Sequence, residues 1–191
     1  MSSNEDDAAG PEMNYVPPAR GMPRIACHVV HPIRLEDGSQ WAEFALLPEV
    51  QRYTSSTFAS MDDLLPVIRR TLSDDVGAPV LFAVREAGAG RLVATFGFHT
   101  VSALNRTAEV TYTVRPEAAG RGLATLVCRA AVRWGFGARG WVRIQATVLE
   151  ANLASRRVLD KCGFAFEGTL RNLRIVRGRP SDFLLYATVP D

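Results

Sequence analysis

The densest chemistry in this 191-residue chain lies between Glu109 and Phe164. The segment from Arg115 to Thr125 reads RPEAAGRGLAT and joins a strand-like pattern to a helix-like one. Gly120 and Gly122 free the backbone to approach a ligand closely, and the loop runs into a helix N-terminus. Unpaired N–H groups and the positive end of the helix dipole suit an anion there, a pyrophosphate in particular. Arg121 adds a full positive charge. A tight turn would use the same glycines. No Gly-Lys-Ser/Thr follows, so the segment is not a Walker loop. No parallel βαβ unit with a ribose-binding acid follows either, which excludes a clear dinucleotide fingerprint.

The same segment resembles the acetyl-CoA loop of the GCN5-related N-acetyltransferases (GNATs), whose pattern is Gln/Arg-x-x-Gly-x-Gly/Ala. Ala119, Gly122 and Ala124 stand at the matching positions, so the first departs from Gln/Arg. Downstream, Asn152-x-x-Ser155 followed by Gly163 and Phe164 resembles that family's cofactor-side helix. Residues 150–170 look like the RimJ/RimL branch, and Pro48, Glu49, Val50 and Tyr53, with Gly178 and Asp182, add to that likeness. The resemblance covers about residues 32–189. It implies an α+β GNAT fold, a mixed and mostly antiparallel central sheet flanked by helices, with strands four and five splayed. It implies acetyl-CoA as co-substrate and no metal. Its pantetheine arm would bond the backbone of Tyr112, Thr113 and Val114. The pyrophosphate would lie on Ala119, Gly120, Arg121, Gly122, Leu123, Ala124 and Thr125, with Asn152 and Ser155 on the cofactor-side helix.

The implied reaction is direct attack of an amine on the thioester. It needs a deprotonated amine, a polarised carbonyl and a proton for the leaving thiolate. Glu109 resembles the strand-four glutamate that several family members use as general base; it could equally be a solvent-facing charge or a partner for Arg106. Glu150, at the end of the next strand, is the second candidate and His99 the third. Many relatives carry a tyrosine seven residues after the asparagine, but here that position is Leu159. Ser155 could instead hydrogen-bond the sulfur, or serve only as a helix-start serine. Asn152 could reach cofactor amides, cap the helix, or both. The branch favours a protein or peptide N-terminal α-amine as acceptor. The alternatives are a small-molecule amine (amino acid, polyamine or antibiotic), or a CoA-binding sensor module without catalysis, given Ala119 and Leu159.

Positioning these residues requires a sheet and two helices. Strand patterns cover residues 26–30, 80–85, 92–101 and 109–114; in the last, Val110, Tyr112 and Val114 alternate with Glu109, Thr111 and Thr113. A short helix fits residues 40–47 with Ser39 as N-cap, and another fits 62–72 with Ser60 as cap candidate and Leu64, Leu65, Ile68 and Leu72 on one stripe. Leu123, Leu126, Val127, Ala130, Ala131 and Trp134 recur at helical spacing. Residues 141–149 alternate again, with Val142, Ile144, Ala146 and Val148 on one side. Asn152 caps a second helix, striped by Ala154, Val158, Leu159 and Cys162 and ended by Gly163. Residues 164–166 and 182–189 supply two last strands around an Arg-Gly-Arg-Pro turn.

Composition bounds the rest. One domain over residues 24–191 fits the length, preceded by a Pro-rich flexible tail over residues 1–23. A hydrophobic share of 47% and a charged share of 22% are those of a globular protein. Three scattered cysteines disfavour a disulfide framework or structural zinc, and Cys27, His28 and His31 lack a fourth ligand. A net charge of +2 is far from that of a nucleic-acid binder. The basic clusters, Arg171, Arg174, Arg177 and Arg179 among them, read as solvated faces. No apolar run reaches the roughly 18 residues that span a bilayer, and the acidic start is unlike a signal peptide. The expectation is a cytoplasmic protein that binds neither nucleic acid nor membrane, as monomer or homodimer.

Overall fold

Seven strands form one sheet in the order β1-β2-β3-β4-β5-β7-β6 in the computed structural model, which describes residues 21–190. They are β1 (His28–Pro32), β2 (Val80–Glu86), β3 (Leu92–Ser102), β4 (Thr107–Val114), β5 (Arg143–Leu149), β6 (Ala165–Val176) and β7 (Arg179–Thr188). Every neighbouring pair is antiparallel except β4 with β5. That parallel pair is joined only at Thr107 with Arg143, Ala108 with Ile144 and Glu109 with Gln145. Beyond Glu109 the two strands part, and the remaining β4 residues have partners only on the β3 side. The sheet is thus mixed, with the splayed fourth and fifth strands that the GNAT resemblance implies.

Helices cover both faces. Helix α4 (Leu123–Arg139) lays Val127, Cys128 and Ala131 on Phe82, Phe96, Phe98 and Ile144. Gly135 is the contact that only glycine allows: an added Cβ would sit 2.7 Å from Ile144 and 2.8 Å from the Trp141 ring. On the opposite face, α1 (Gly38–Ala45) and α3 (Leu65–Thr71) bury Trp41, Phe44, Leu64 and Ile68 against Leu81, Ala83 and Leu92. Each such side chain contributes roughly 1.5–3 kcal/mol by leaving water. Between them lies the one-turn helix α2 (Pro48–Gln51), and α5 (Leu153–Lys161) packs beside α4.

Several local expectations are corrected. Ser39 lies inside α1 rather than capping it, because the chain enters from a 3-10 turn at Leu35–Asp37. Asp37 there accepts from the Arg34 N–H at 2.7 Å and from Arg85 at 2.6 Å. The helix expected over residues 62–72 is divided into a 3-10 turn at Met61–Asp63 and α3. Pro66 has no N–H to give a turn begun at Asp62, and Leu72 is exposed. Leu126, Val142 and Ala154 also face outward. Strand β6 runs to Val176, ten residues past its expected end, and β7 begins three residues earlier than expected. As the edge strand, β6 is mostly exposed and so lacks a strong apolar alternation.

Residues 1–20 of the expected tail lie outside the described residues. Its last three belong to the body: Pro23 is buried, and the Gly21 carbonyl accepts from the Trp134 indole at 2.6 Å. No helix among the described residues is long and apolar enough to cross a membrane.

Candidate active site

Glu109 is the last β4 residue paired with β5, so it stands at the apex of the fork. A cavity of about 320 Å³ opens there, lined by Glu109, Val110, Tyr112 and Thr113 of β4 and Ala146, Thr147 and Val148 of β5. Asn152 and Ser155 close one side, and Trp41, Tyr53, Phe58, Phe183 and Arg174 another. The strand alternation alone would leave Glu109 on an open face. Instead it is only 4% exposed, enclosed by His99 of β3, Thr147 of β5 and Arg174 of β6.

Three groups converge on one oxygen of that carboxylate. The Thr147 hydroxyl donates to Oε1, Arg174 Nη2 donates to it at 3.1 Å, and His99 Nε2 stands 3.8 Å away. Burial pushes the carboxyl pKa up, but the Thr147 hydrogen bond and the charges of His99 and Arg174 outweigh it and hold it below the ordinary value. Glu109 is therefore an anion at neutral pH. Burial lowers the His99 pKa, Glu109 opposes this and Arg174 adds to it, for a net lowering. The imidazole is thus neutral at pH 7, and its charge acts on Glu109 only at acid pH, once the ring is protonated. Arg106, the alternative partner, bonds the Gly140 carbonyl instead.

On the other arm, Asn152 caps α5: its Oδ1 accepts from the Ser155 N–H at 3.1 Å. The Ser155 hydroxyl stands 2.8 Å from the Tyr112 hydroxyl. Burial raises the Tyr112 phenol well above its usual pKa, with Cys128 adding to it and the Ser155 bond only partly offsetting it.

The glycine loop folds as a short 3-10 turn at Pro116–Ala118 and then runs into α4. Gly120 (φ +75°) and Gly122 (φ +83°) take the left-handed conformation, which L side chains rarely adopt. Gly122 is the N-cap. Among the described residues, the N–H groups of Gly120, Arg121 and Gly122 make no backbone hydrogen bond. Those of Leu123, Ala124 and Thr125 are the first three of α4 and have no intrahelical acceptor. Together they form a row of donors at a 17-residue helix. Ala119 does not join the row, because its N–H is bonded to Pro116 O at 3.0 Å.

Glu150 is not brought to the site. It is exposed just past β5 and does not line the cavity. Two contributors escaped the sequence reading. Arg174 was grouped with solvated arginines, although strand alternation through β6 would have set it apart from its neighbours. Thr147 carried no signal, since only the fork brings it to Glu109. Among the described residues no group of His, Cys, Asp and Glu could hold a metal.

The model of the acetyltransferase (GNAT) domain family matches residues 29–165. The chain is 41% identical over 98 residues to the "Uncharacterized N-acetyltransferase YoaA" of Bacillus subtilis, a match spanning 51% of this chain and 55% of that protein. The chain thus spans little more than half the length of that relative. It is 28% identical over 151 residues to "Putative ribosomal N-acetyltransferase YdaF" of the same organism, covering 78% of this chain and 75% of that one. Among solved structures, Mycobacterium smegmatis RimJ in complex with CoA-disulfide superposes with a TM-score of 0.74 at 26% identity, covering 85% of this chain and 81% of the other.

Proposed function

Because this chain belongs to the acetyltransferase (GNAT) family, with acetyl-CoA as co-substrate, we propose that it acetylates the N-terminal α-amine of a protein or peptide. The observation that carries the acceptor is the make-up of the cavity. Glu109 is its one carboxylate among the described residues, and Arg174 already pairs with it. Beside the neutral His99, the lining there is aromatic, hydroxylic or aliphatic, with Trp41, Tyr53, Thr54, Ser55, Phe58 and Phe183 among it. A single ammonium fits such a site. A polyamine would bring further charges and find no second carboxylate, and burying an unpaired charge is costly.

The residues divide the work as follows. The donor row at Gly120–Thr125 holds the pyrophosphate, and the unpaired β4 edge at Tyr112, Thr113 and Val114 offers backbone groups to the pantetheine arm. Glu109 attracts the ammonium and accepts its proton, directly or through water. Its lowered basicity sets its worth near the low end of the 10²–10⁴-fold expected of a general base. The freed amine attacks the thioester carbonyl, and Ser155 donates to the leaving sulfur.

Thiol release from acetyl-CoA, measured with N-terminal peptides, spermidine and amino acids side by side, tests the acceptor. Peptides with a free α-amine turn over at least tenfold faster in kcat/KM. Faster turnover of spermidine would overturn the peptide assignment, and none with any amine would overturn catalysis.

A further inference from the structure

The leaving thiolate needs a hydrogen-bond donor. At the α5 position seven residues after Asn152 the chain has Leu159, which is buried and has no proton to give. Ser155 faces the cavity with one O–H, which can serve only one acceptor at a time. What that O–H does depends on its neighbour. The Tyr112 hydroxyl, delivered from the open arm of β4, lies 2.8 Å from Ser155 Oγ and 3.4 Å from the Ser155 carbonyl. Both of these contacts are to Ser155. With Tyr112 donating to Oγ, the single O–H of Ser155 is left to point elsewhere. The Asn152 cap meanwhile fixes the first turn of α5 through the Ser155 N–H.

We propose that Tyr112 is a positioning residue for the leaving group: its O–H donates to Ser155 Oγ and thereby directs the Ser155 O–H to the sulfur of CoA. This rests on the acetyl-transfer reading and extends it. Burial keeps the phenol protonated, so Tyr112 acts as a fixed donor and not as an acid. In the step itself the N–C bond forms, the C–S bond breaks, and its electron pair passes to sulfur. The Ser155 O–H holds that charge by hydrogen bonding without giving up its proton. Two protons leave the nitrogen, the ammonium's before attack and the adduct's as the amide forms; each passes in turn by way of Glu109 to solvent, and the released thiolate takes one from solvent. A tyrosine on a strand and a serine on a helix thus replace a donor that α5 lacks at Leu159.

The test uses CoA alone and does not depend on the acceptor. The ultraviolet absorbance of the bound CoA thiolate is titrated against pH, with desthio-CoA as the reference that cancels the protein's own thiols and phenols. In the wild-type protein the bound thiol ionises about one pH unit below free CoA, a tenfold change. Tyr112→Phe and Ser155→Ala each remove most of that shift, and the double variant removes no more than Ser155→Ala. In turnover, Tyr112→Phe lowers kcat about tenfold while the KM for acetyl-CoA stays within twofold. Should Tyr112→Phe not fold, biosynthetic fluorotyrosine keeps the ring and strengthens the donor, and the shift then grows. An unchanged bound-thiol titration in Tyr112→Phe or with fluorotyrosine overturns the proposal. So does wild-type CoA that ionises as it does free, although acetyl transfer would stand if thiol release is still seen. A protein that does not bind CoA removes both.

Discussion

At the scale of single residues, the site turns on how Glu109 is kept charged inside a nearly closed space. A buried carboxylate without partners would take up a proton. Here Thr147, Arg174 and His99 surround one oxygen and prevent that. Since the native pKa lies below the ordinary one, the anion persists down to acid pH, and with Glu109 as the proposed proton acceptor, activity is expected to fall only as pH drops through that lowered value. Removing Arg174 takes away both its charge and its hydrogen bond. In Arg174→Gln the Glu109 pKa therefore rises, and the acid limb of kcat, which reports the bound complex, moves to higher pH. A pH profile of kcat at saturating amine checks this, and an unmoved limb would free Arg174 from any hold on Glu109. The carboxylate itself was legible, because glutamate in the sequence AEVTY stands out. Its environment was not, because Thr147, Arg174 and His99 come from three other strands, and no spacing within one segment joins them.

At the scale of elements, local pattern carried most of the architecture. Turn-bounded apolar runs located β2 and β3, which are buried on both faces; alternation located β4 and β5, and apolar spacing located α4 and α5, which turn one face to the core. It failed where an element meets water on most sides, as β6 does, and where turn chemistry decides, as at Asp37 and Pro66. The glycine loop was readable for a different reason: positive φ at Gly120 and Gly122 restricts those positions to glycine on steric grounds. Of the residues expected there, Ala119 spends its N–H inside the loop. Gly122→Asp places a side chain and a negative charge at the N-cap of α4. Acetyl-CoA affinity then falls more than tenfold, ~1.4 kcal/mol or more. Calorimetry on the folded variant checks this; unchanged affinity would remove the pyrophosphate from the loop.

At the scale of the whole molecule, the fold and the reaction meet in one irregularity. A sheet whose other neighbouring strands pair over five or more residues comes apart after three residue pairs between β4 and β5. The opening exposes unpaired β4 backbone, places Glu109 at its apex, and brings Tyr112 to Ser155 across the other arm. The splay was expected from resemblance and not from any residue pattern, because pairing between strands is not written in either strand alone. Residues 29–165 carry the family match, yet Arg174 and Phe183, which close the cavity, lie beyond it. The proposed transfer passes acetyl at this fork to an α-amine. The most direct measurement is to incubate the protein with acetyl-CoA and a peptide bearing both a free N-terminus and an internal lysine, then map the product by fragmentation mass spectrometry. One acetyl group is expected, on the α-nitrogen. Acetyl on the lysine alone, or an unmodified peptide beside intact acetyl-CoA, would contradict it.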